Sequence, residues 1–134
     1  MVIKNVKKIT GVIIGPSGIG KAHLRELINF GFQNIGIVGK KFKKNRISEL
    51  IVKYKNINFY NLKFVKDIKK IKPKLINVCS PTKYHYDQIL TVKKFCKNLI
   101  IEKPIFWISN KKISNLKLTR NLLNIKSNKI FVNL

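Results

Sequence analysis

Short runs of apolar, often β-branched residues alternate along this chain with segments whose apolar residues follow a helical period. The runs have the length and composition of strands that are buried on both faces of a sheet. Alternation of such strands with amphipathic helices is typical of βαβ units with parallel strands. Strands are predicted at Ile9–Ile14, Asn34–Val38, Ile57–Leu62, Leu75–Cys79, Leu99–Ile101 and Lys129–Asn133. Helices are predicted at Ile19–Phe30, Asn45–Tyr54, Val65–Ile71, Lys83–Cys96 and Asn110–Lys126.

This pattern predicts a single α/β domain over residues 1–134, a Rossmann-type fold with a doubly wound parallel sheet between two helical layers. A chain of 134 residues can bury an ordinary core, and its 45% hydrophobic content excludes a disordered chain. Ligands of such folds bind at the carboxyl ends of the strands. The residues that directly follow each predicted strand are therefore the candidates for function.

The segment at residues 15–23, Gly-Pro-Ser-Gly-Ile-Gly-Lys-Ala-His, fits two kinds of phosphate-binding loop. It contains the G-x-x-x-x-G-K spacing of a P-loop, but Ala22 stands where that loop needs a hydroxyl to ligate magnesium. In a dinucleotide-binding turn, Gly15 makes the bend after the strand and Gly20 lets the helix pack closely on the sheet. Because Ser17 replaces the middle glycine of G-x-G-x-x-G, the loop alone leaves both alternatives open.

The second predicted strand ends at Val38 and is followed by Gly39, Lys40 and Lys41. An NAD enzyme places an Asp or Glu about twenty residues beyond the glycine turn, where the carboxylate binds the ribose hydroxyls. A lysine at that point would meet the extra phosphate of NADP, so the sequence favours NADP(H) over NAD(H). A composition with 29 Lys and Arg among 134 residues could also place lysines there by chance.

The charge and the cysteines limit the other classes of function. A net charge of +24 would suit a nucleic-acid partner, but the lysines are scattered and no recognised nucleic-acid-binding signature accompanies them. Cys79 and Cys96 are too few for a disulfide framework or a zinc site, and no metal site is expected. We find no signal-peptide core and no apolar run of transmembrane length, and we expect a cytoplasmic location without membrane contact.

Three short motifs at predicted strand ends carry a resemblance to a known family. Gly-Lys-Ala-His at residues 20–23 follows the glycine turn, Ser-Pro-Thr-Lys-Tyr-His at residues 80–85 follows the fourth strand, and Glu-Lys-Pro at residues 102–104 follows the fifth. In this order they resemble the N-terminal cofactor domain of the Gfo/Idh/MocA family, which includes glucose-fructose oxidoreductase and inositol dehydrogenase. The resemblance covers the chain from about Ile9 to the last strand.

The resemblance implies an oxidoreductase that transfers hydride between NAD(P) and a sugar, cyclitol or related hydroxy compound. It implies that Lys103 is the catalytic lysine, that Glu102 lies near the nicotinamide ribose and that His85 lies at the nicotinamide end. The chemistry of Lys103 can also be argued directly, because an ammonium group can hydrogen-bond a substrate hydroxyl and stabilise developing negative charge. The residues alone leave two alternatives, a solvated Glu102 paired with lysines and a His85 that caps or packs.

The remaining expected cofactor contacts lie in the glycine turn and in the turn after the fourth strand. Ser17 is expected to offer its amide or hydroxyl to the pyrophosphate at the helix N-terminus. His23 is expected to pack against the sheet behind the loop rather than take part in chemistry. The contacts in these two turns are Gly15, Ser17, Gly18, Ile19, Gly20, Ser80 and Pro81.

Members of the family continue into a second α/β domain that carries most substrate contacts, commonly the catalytic histidine, and the oligomer interface. The resemblance therefore implies that this chain lacks the substrate domain. We expect it to bind the cofactor but to turn over hydroxylated substrates poorly unless a second domain or subunit is supplied. A non-catalytic dinucleotide-binding remnant or partner module is the alternative function, and a P-loop or nucleic-acid binder is the third.

Overall fold

The computed structural model of this chain describes residues 9–39, 44–63, 65–105, 117, 120–121 and 129–132. In this part of the chain, six strands form one parallel sheet in the order β3-β2-β1-β4-β5-β6. The strands are β1 (Gly11–Ile14), β2 (Asn34–Val38), β3 (Asn58–Leu62), β4 (Leu75–Val78), β5 (Asn98–Ile101) and β6 (Lys129–Val132). Strand order reverses direction at β1, as in the dinucleotide-binding doubly wound fold, and the predicted fold class is confirmed.

Two of the α-helices in the described ranges are shorter than the hydrophobic pattern predicts, and one has the predicted length but begins one residue earlier. The α-helices are α1 (Gly20–Asn29), α2 (Lys44–Lys53) and α3 (His85–Val92). The segment Val65–Lys70 is a 3₁₀ helix, and a second 3₁₀ turn at Thr82–Tyr84 precedes α3. The predicted helix at Asn110–Lys126 lies almost wholly outside the described residues.

The core forms two layers, one on each face of the sheet. Apolar side chains that alternate along the strands enter opposite layers, which is why the strands carry nearly continuous apolar runs. One layer contains Val12, Ile14, Ile76, Val78, Leu99 and Ile101, with Ile89 and Val92 from α3. The other contains Ile13, Ile35, Ile37 and Cys79, with Leu24 and Leu27 from α1. Helices on both faces thus hold the strand ends rigidly.

Backbone hydrogen bonds continue the parallel pairing one residue beyond the strands at one edge of the sheet. The amide of Gly15 donates to Val38 over 2.8 Å, and the amide of Cys79 donates to Ile14 over 2.8 Å. The turns after β1 and β4 therefore lie side by side, although their chains leave in opposite directions. A crevice opens at such a reversal point, and this is where ligands of doubly wound folds bind.

Candidate functional site

The turn after β1 passes unusually close to the turn after β4. Gly15 has φ +81°, and a Cβ built on it would lie 2.6 Å from the backbone nitrogen and Cα of Ser80. Only glycine combines this left-handed backbone with so close an approach. The absence of a side chain at Gly15 therefore brings the two turns together at the crevice.

Gly20 begins α1 and lies directly beneath this turn. A Cβ on Gly20 would lie only 2.0 Å from the carbonyl oxygen of Gly15 and 3.4 Å from Cβ of Cys79. The close helix packing predicted at this glycine is present in the structure. Gly20 keeps the first turn of α1 against the end of β1, so that the helix begins beside the turn.

The apex of the glycine turn is exposed and formed by Ser17, Gly18 and Ile19. Ile19 is the N-cap residue of α1, and its side chain makes no capping hydrogen bond. A helix N-terminus carries partial positive charge and backbone amides that can bind a phosphate group. Of the contacts predicted in this turn, Ser17, Gly18 and Ile19 are thus exposed at the start of α1, whereas Gly20 is buried beneath them.

The turn after β4 is organised by its side chains. The Ser80 hydroxyl donates a hydrogen bond of 2.5 Å to Oε1 of Gln88 on α3. His85 is only 1% exposed, and its Nε2 lies 2.6 Å from the Ser80 carbonyl oxygen. Nδ1 of His85 lies 2.9 Å from the carbonyl oxygen of Ile105 and 3.1 Å from that of Pro104.

These bonds define what His85 does in the structure. Both ring nitrogens face backbone carbonyls, so the histidine bridges the turn after β4 and the segment after β5. The resemblance implies that His85 lies beside the cofactor at its nicotinamide end, and a direct hydrogen bond to the cofactor would require one of these contacts to be given up. The capping or packing alternative describes the observed contacts, because the buried ring fixes two turns.

Glu102 follows β5 and is 6% exposed, and its amide donates to the Val78 carbonyl over 2.9 Å. Nε2 of His23, in the first turns of α1, donates a hydrogen bond to Oε1 of Glu102. The alternative of a solvated acid is therefore wrong, because the carboxylate is buried against a histidine. His23 was expected to pack against the sheet, and the structure instead joins it to the Glu-Lys-Pro segment.

Lys103 is the neighbour of this buried glutamate, and a cis peptide bond joins it to Pro104. Its side chain is exposed at the same edge of the sheet. Because of this exposure, the Lys103 ammonium group is accessible to a small molecule above the ends of β4 and β5. The catalytic role of Lys103 stays a prediction.

The cysteines have no catalytic features. Burial, together with the nearby charge of Glu102, raises the pKa of Cys79 to about 12, and burial also raises the pKa of Cys96. A thiol that stays protonated at neutral pH is a poor nucleophile and a poor metal ligand. Both cysteines are free, and no group of three or more His, Cys, Asp or Glu occurs in the described ranges.

Lys40 and Lys41 lie outside the described residues, so the structure does not bear on the predicted NADP(H) preference. The structure does reveal one contact that sequence reasoning missed, the hydrogen bond between His23 and Glu102. The two residues are 79 positions apart, and periodicity carries no information at that distance. A signal was present in composition, since Glu102 is one of only 5 acidic residues and stands at a strand end.

A doubly wound sheet with a glycine turn at its reversal point defines a dinucleotide-binding domain. Residues 9–133 match the model of the Gfo/Idh/MocA family, described as an oxidoreductase family with an NAD-binding Rossmann fold. The chain belongs to this family and comprises its N-terminal NAD-binding domain. The family resemblance of the three strand-end motifs is thereby confirmed.

Solved structures show the same fold at low sequence identity. The myo-inositol 2-dehydrogenase from Lactobacillus plantarum superposes with a TM-score of 0.71 at 16% identity, over 93% of this chain and 36% of that one. The scyllo-inositol dehydrogenase from Lactobacillus casei, solved with NAD(H) and scyllo-inositol, gives 0.66 at 16% identity over 93% and 36%. An oxidoreductase from Bacillus cereus gives 0.69 at 20% identity over 92% and 34%.

The chain thus spans about a third of the length of these structural neighbours. A comparison with curated proteins finds no match. Within the described ranges, the helices are too short or too polar to cross a bilayer.

Proposed function

We propose that this chain binds a nicotinamide dinucleotide across the crevice between β1 and β4 and serves hydride transfer to or from a hydroxylated substrate. The observation that carries this proposal is the glycine turn. Gly15 and Gly20 remove side chains where the turn, the helix and Ser80 meet, which lets a pyrophosphate reach the backbone. The N-terminus of α1 then faces the negative charge.

In the proposed complex, each half of the sheet binds one end of the cofactor. In doubly wound folds the adenosine ribose binds at the end of β2, so the nicotinamide lies over β4 and β5. Ser80 and Pro81 would border it from the turn after β4, and Glu102 would lie near its ribose. His85 supports this site by holding the carbonyls of Ser80, Pro104 and Ile105 in place.

Hydride exchange is the chemistry that a bound nicotinamide supplies. Lys103 is the residue we assign to the substrate, because its exposed ammonium group can donate a hydrogen bond to the reacting oxygen. That bond stabilises the negative charge that develops when hydride leaves the adjoining carbon. A sugar or cyclitol is the proposed substrate class. The neighbours named as inositol dehydrogenases make an inositol the first compound to test.

The first experiment is thermal unfolding of the purified chain with NADPH, NADH and Mg-ATP added separately. A ligand that binds only the folded state raises the free energy of unfolding, by about 2.7 kcal/mol at a ligand concentration of a hundred times Kd, and therefore raises Tm. We expect either dinucleotide to raise Tm and Mg-ATP to leave it unchanged. A shift with Mg-ATP alone would contradict the proposal and favour the P-loop alternative.

The preference for NADP(H) is proposed on the sequence of the segment after β2. The double variant Lys40→Ala/Lys41→Ala should bind NADPH about tenfold more weakly, as expected for the loss of a charged hydrogen bond. Its affinity for NADH should be nearly unchanged. Equal effects on both dinucleotides would remove the preference. The matched control is Lys53→Ala on α2, a lysine in the same basic background.

A non-catalytic dinucleotide-binding module is a second candidate function, favoured because both histidines of the chain already bind other groups and neither is free to act as a general base. In that case a larger partner, or further copies of this chain, would complete a substrate site. Dehydrogenase turnover of an inositol by this chain on its own, abolished by Lys103→Ala, would exclude the module. Cofactor binding without turnover would support it.

A further inference from the structure

A buried hydrogen bond joins the two halves of the proposed cofactor site. His23 lies in α1, the helix that begins at the glycine turn, and its Nε2 donates to Oε1 of Glu102 after β5. The side chains are only 12% and 8% exposed, so water competes little for either group. Hydrogen bonds to charged groups are stronger than neutral ones, and burial strengthens them further.

The position of this bond is informative because each partner belongs to a different half. The glycine turn would hold the pyrophosphate at the N-terminus of α1, and Glu102 would lie near the nicotinamide ribose. His23 therefore connects the pyrophosphate side directly to the nicotinamide side. Helix α1 does not need this contact for docking, since Leu24 and Leu27 already anchor it in the core.

The segment that carries Lys103 is held at both ends by the two histidines of the chain. His23 binds the side chain of Glu102, and His85 binds the carbonyls of Pro104 and Ile105. Lys103 itself is exposed between these anchored residues. Its ammonium group can therefore approach a substrate from a backbone that is fixed on both sides.

We propose that His23 is a positioning residue, which fixes Glu102 and Lys103 relative to the glycine turn and so sets the nicotinamide half of the site. The inference rests on the proposed function of the chain as a dinucleotide-binding domain. Loss of the His23 donor removes a charge-assisted bond from a buried carboxylate, which is costly unless the carboxylate moves. Movement of Glu102 would displace Lys103 and the nicotinamide ribose contact, but not the pyrophosphate turn.

The test compares two ligands that differ only in the nicotinamide end. NADH and ADP share the adenosine and the pyrophosphate, but ADP lacks the nicotinamide and its ribose, and both Kd values can be measured by titration calorimetry. His23→Leu removes the hydrogen-bond donor. In His23→Gln the side-chain amide N–H extends about as far as Nε2 of the histidine and can still donate to Glu102. We expect His23→Leu to weaken the binding of NADH by about tenfold, the effect of one charge-assisted hydrogen bond, and the binding of ADP by less than about twofold.

Rescue by the conservative variant separates positioning from a general effect on folding. His23→Gln should bind NADH nearly as tightly as the wild type, and cooperative thermal unfolding will show that each variant is folded. If His23→Leu does not fold, His23→Asn takes its place, because its shorter amide cannot reach Glu102.

Three results would overturn the inference while the proposed function stands. His23→Leu could weaken the binding of both ligands equally, weaken the binding of neither, or bind NADH as tightly as His23→Gln does. A wild-type chain that binds neither NADH nor ADP would instead refute the proposed function, and this inference with it.

Discussion

Alanine at position 20 would test whether close packing of the glycine turn is required for cofactor binding. Its Cβ would lie 2.0 Å from the Gly15 carbonyl oxygen, and real Cβ atoms essentially never approach another atom closer than 3.0 Å. The turn and the helix must therefore separate by about 1 Å. Both clashing atoms near Gly20 belong to the Gly15 backbone, so no side-chain rotation can relieve the overlap.

The cost of Gly20→Ala follows from this overlap. Overpacking a tight site costs about 3 kcal/mol when backbone must shift, and alanine returns up to about 1 kcal/mol through its higher helix propensity. We expect a net destabilisation of about 2 kcal/mol. The effect on the cofactor should be larger, because two backbone bonds to a charged pyrophosphate contribute about 3 kcal/mol together, or about a hundredfold in Kd.

The matched control is Gly31→Ala. Gly31 has φ +82°, a Cβ at this position would meet nothing within 4 Å, and the residue lies beyond the far end of α1 from the crevice. Alanine there carries only left-handed strain, about 1 kcal/mol, and should leave binding unchanged. Urea unfolding gives the stabilities, and calorimetry with NADH gives the affinities. Wild-type affinity in Gly20→Ala, or an equal loss of affinity in Gly31→Ala, would refute the reasoning.

Two further predictions concern the core and the buried thiol. Ile89→Ala, at a fully buried position of α3, should lower the free energy of unfolding by about 3 kcal/mol, whereas Ile51→Ala, 49% exposed on α2, should cost less than about 1 kcal/mol in the same urea titration. The pKa of Cys79 is raised from 9.0 to about 12, so the folded state holds that proton more tightly than the unfolded chain. Stability should therefore be independent of this group below pH 9 and fall above it by up to about 1.4 kcal/mol per pH unit, and Cys79→Ala should lack this decline. Identical pH dependence in the variant and the wild type would contradict the assignment.

Hydrophobic periodicity predicted the strands well because the core demands it. The predicted strand Asn34–Val38 has its observed bounds, and the others differ by one or two residues at their ends. The helices were less predictable, since an amphipathic period does not distinguish an α-helix from a 3₁₀ helix. The segment predicted as a helix at Val65–Ile71 is a 3₁₀ helix at Val65–Lys70, which buries Ile68 in the core.

The candidate site divides in the same way between local and long-range information. The glycine turn could be predicted because the spacing of Gly15 and Gly20 is a local property of one βα unit. The histidine contacts could not, because they depend on which strands become neighbours. β4 and β5 pair on one side of β1, and that order brings α1 close to Glu102. A sequence period cannot encode this proximity.

The central place of β1 also affects how the chain must fold. β1 pairs with β2, and its other edge pairs with β4, whose Leu75 lies opposite Gly11. Until Leu75–Val78 have been synthesised, one edge of β1 exposes unpaired amides and carbonyls beside apolar side chains, which is the template that promotes strand-to-strand aggregation. Contacts so distant in sequence also slow folding. Chains that end before β4, whether truncated there or fused there to another protein, should therefore aggregate. Expression of soluble protein should recover once β4 is included.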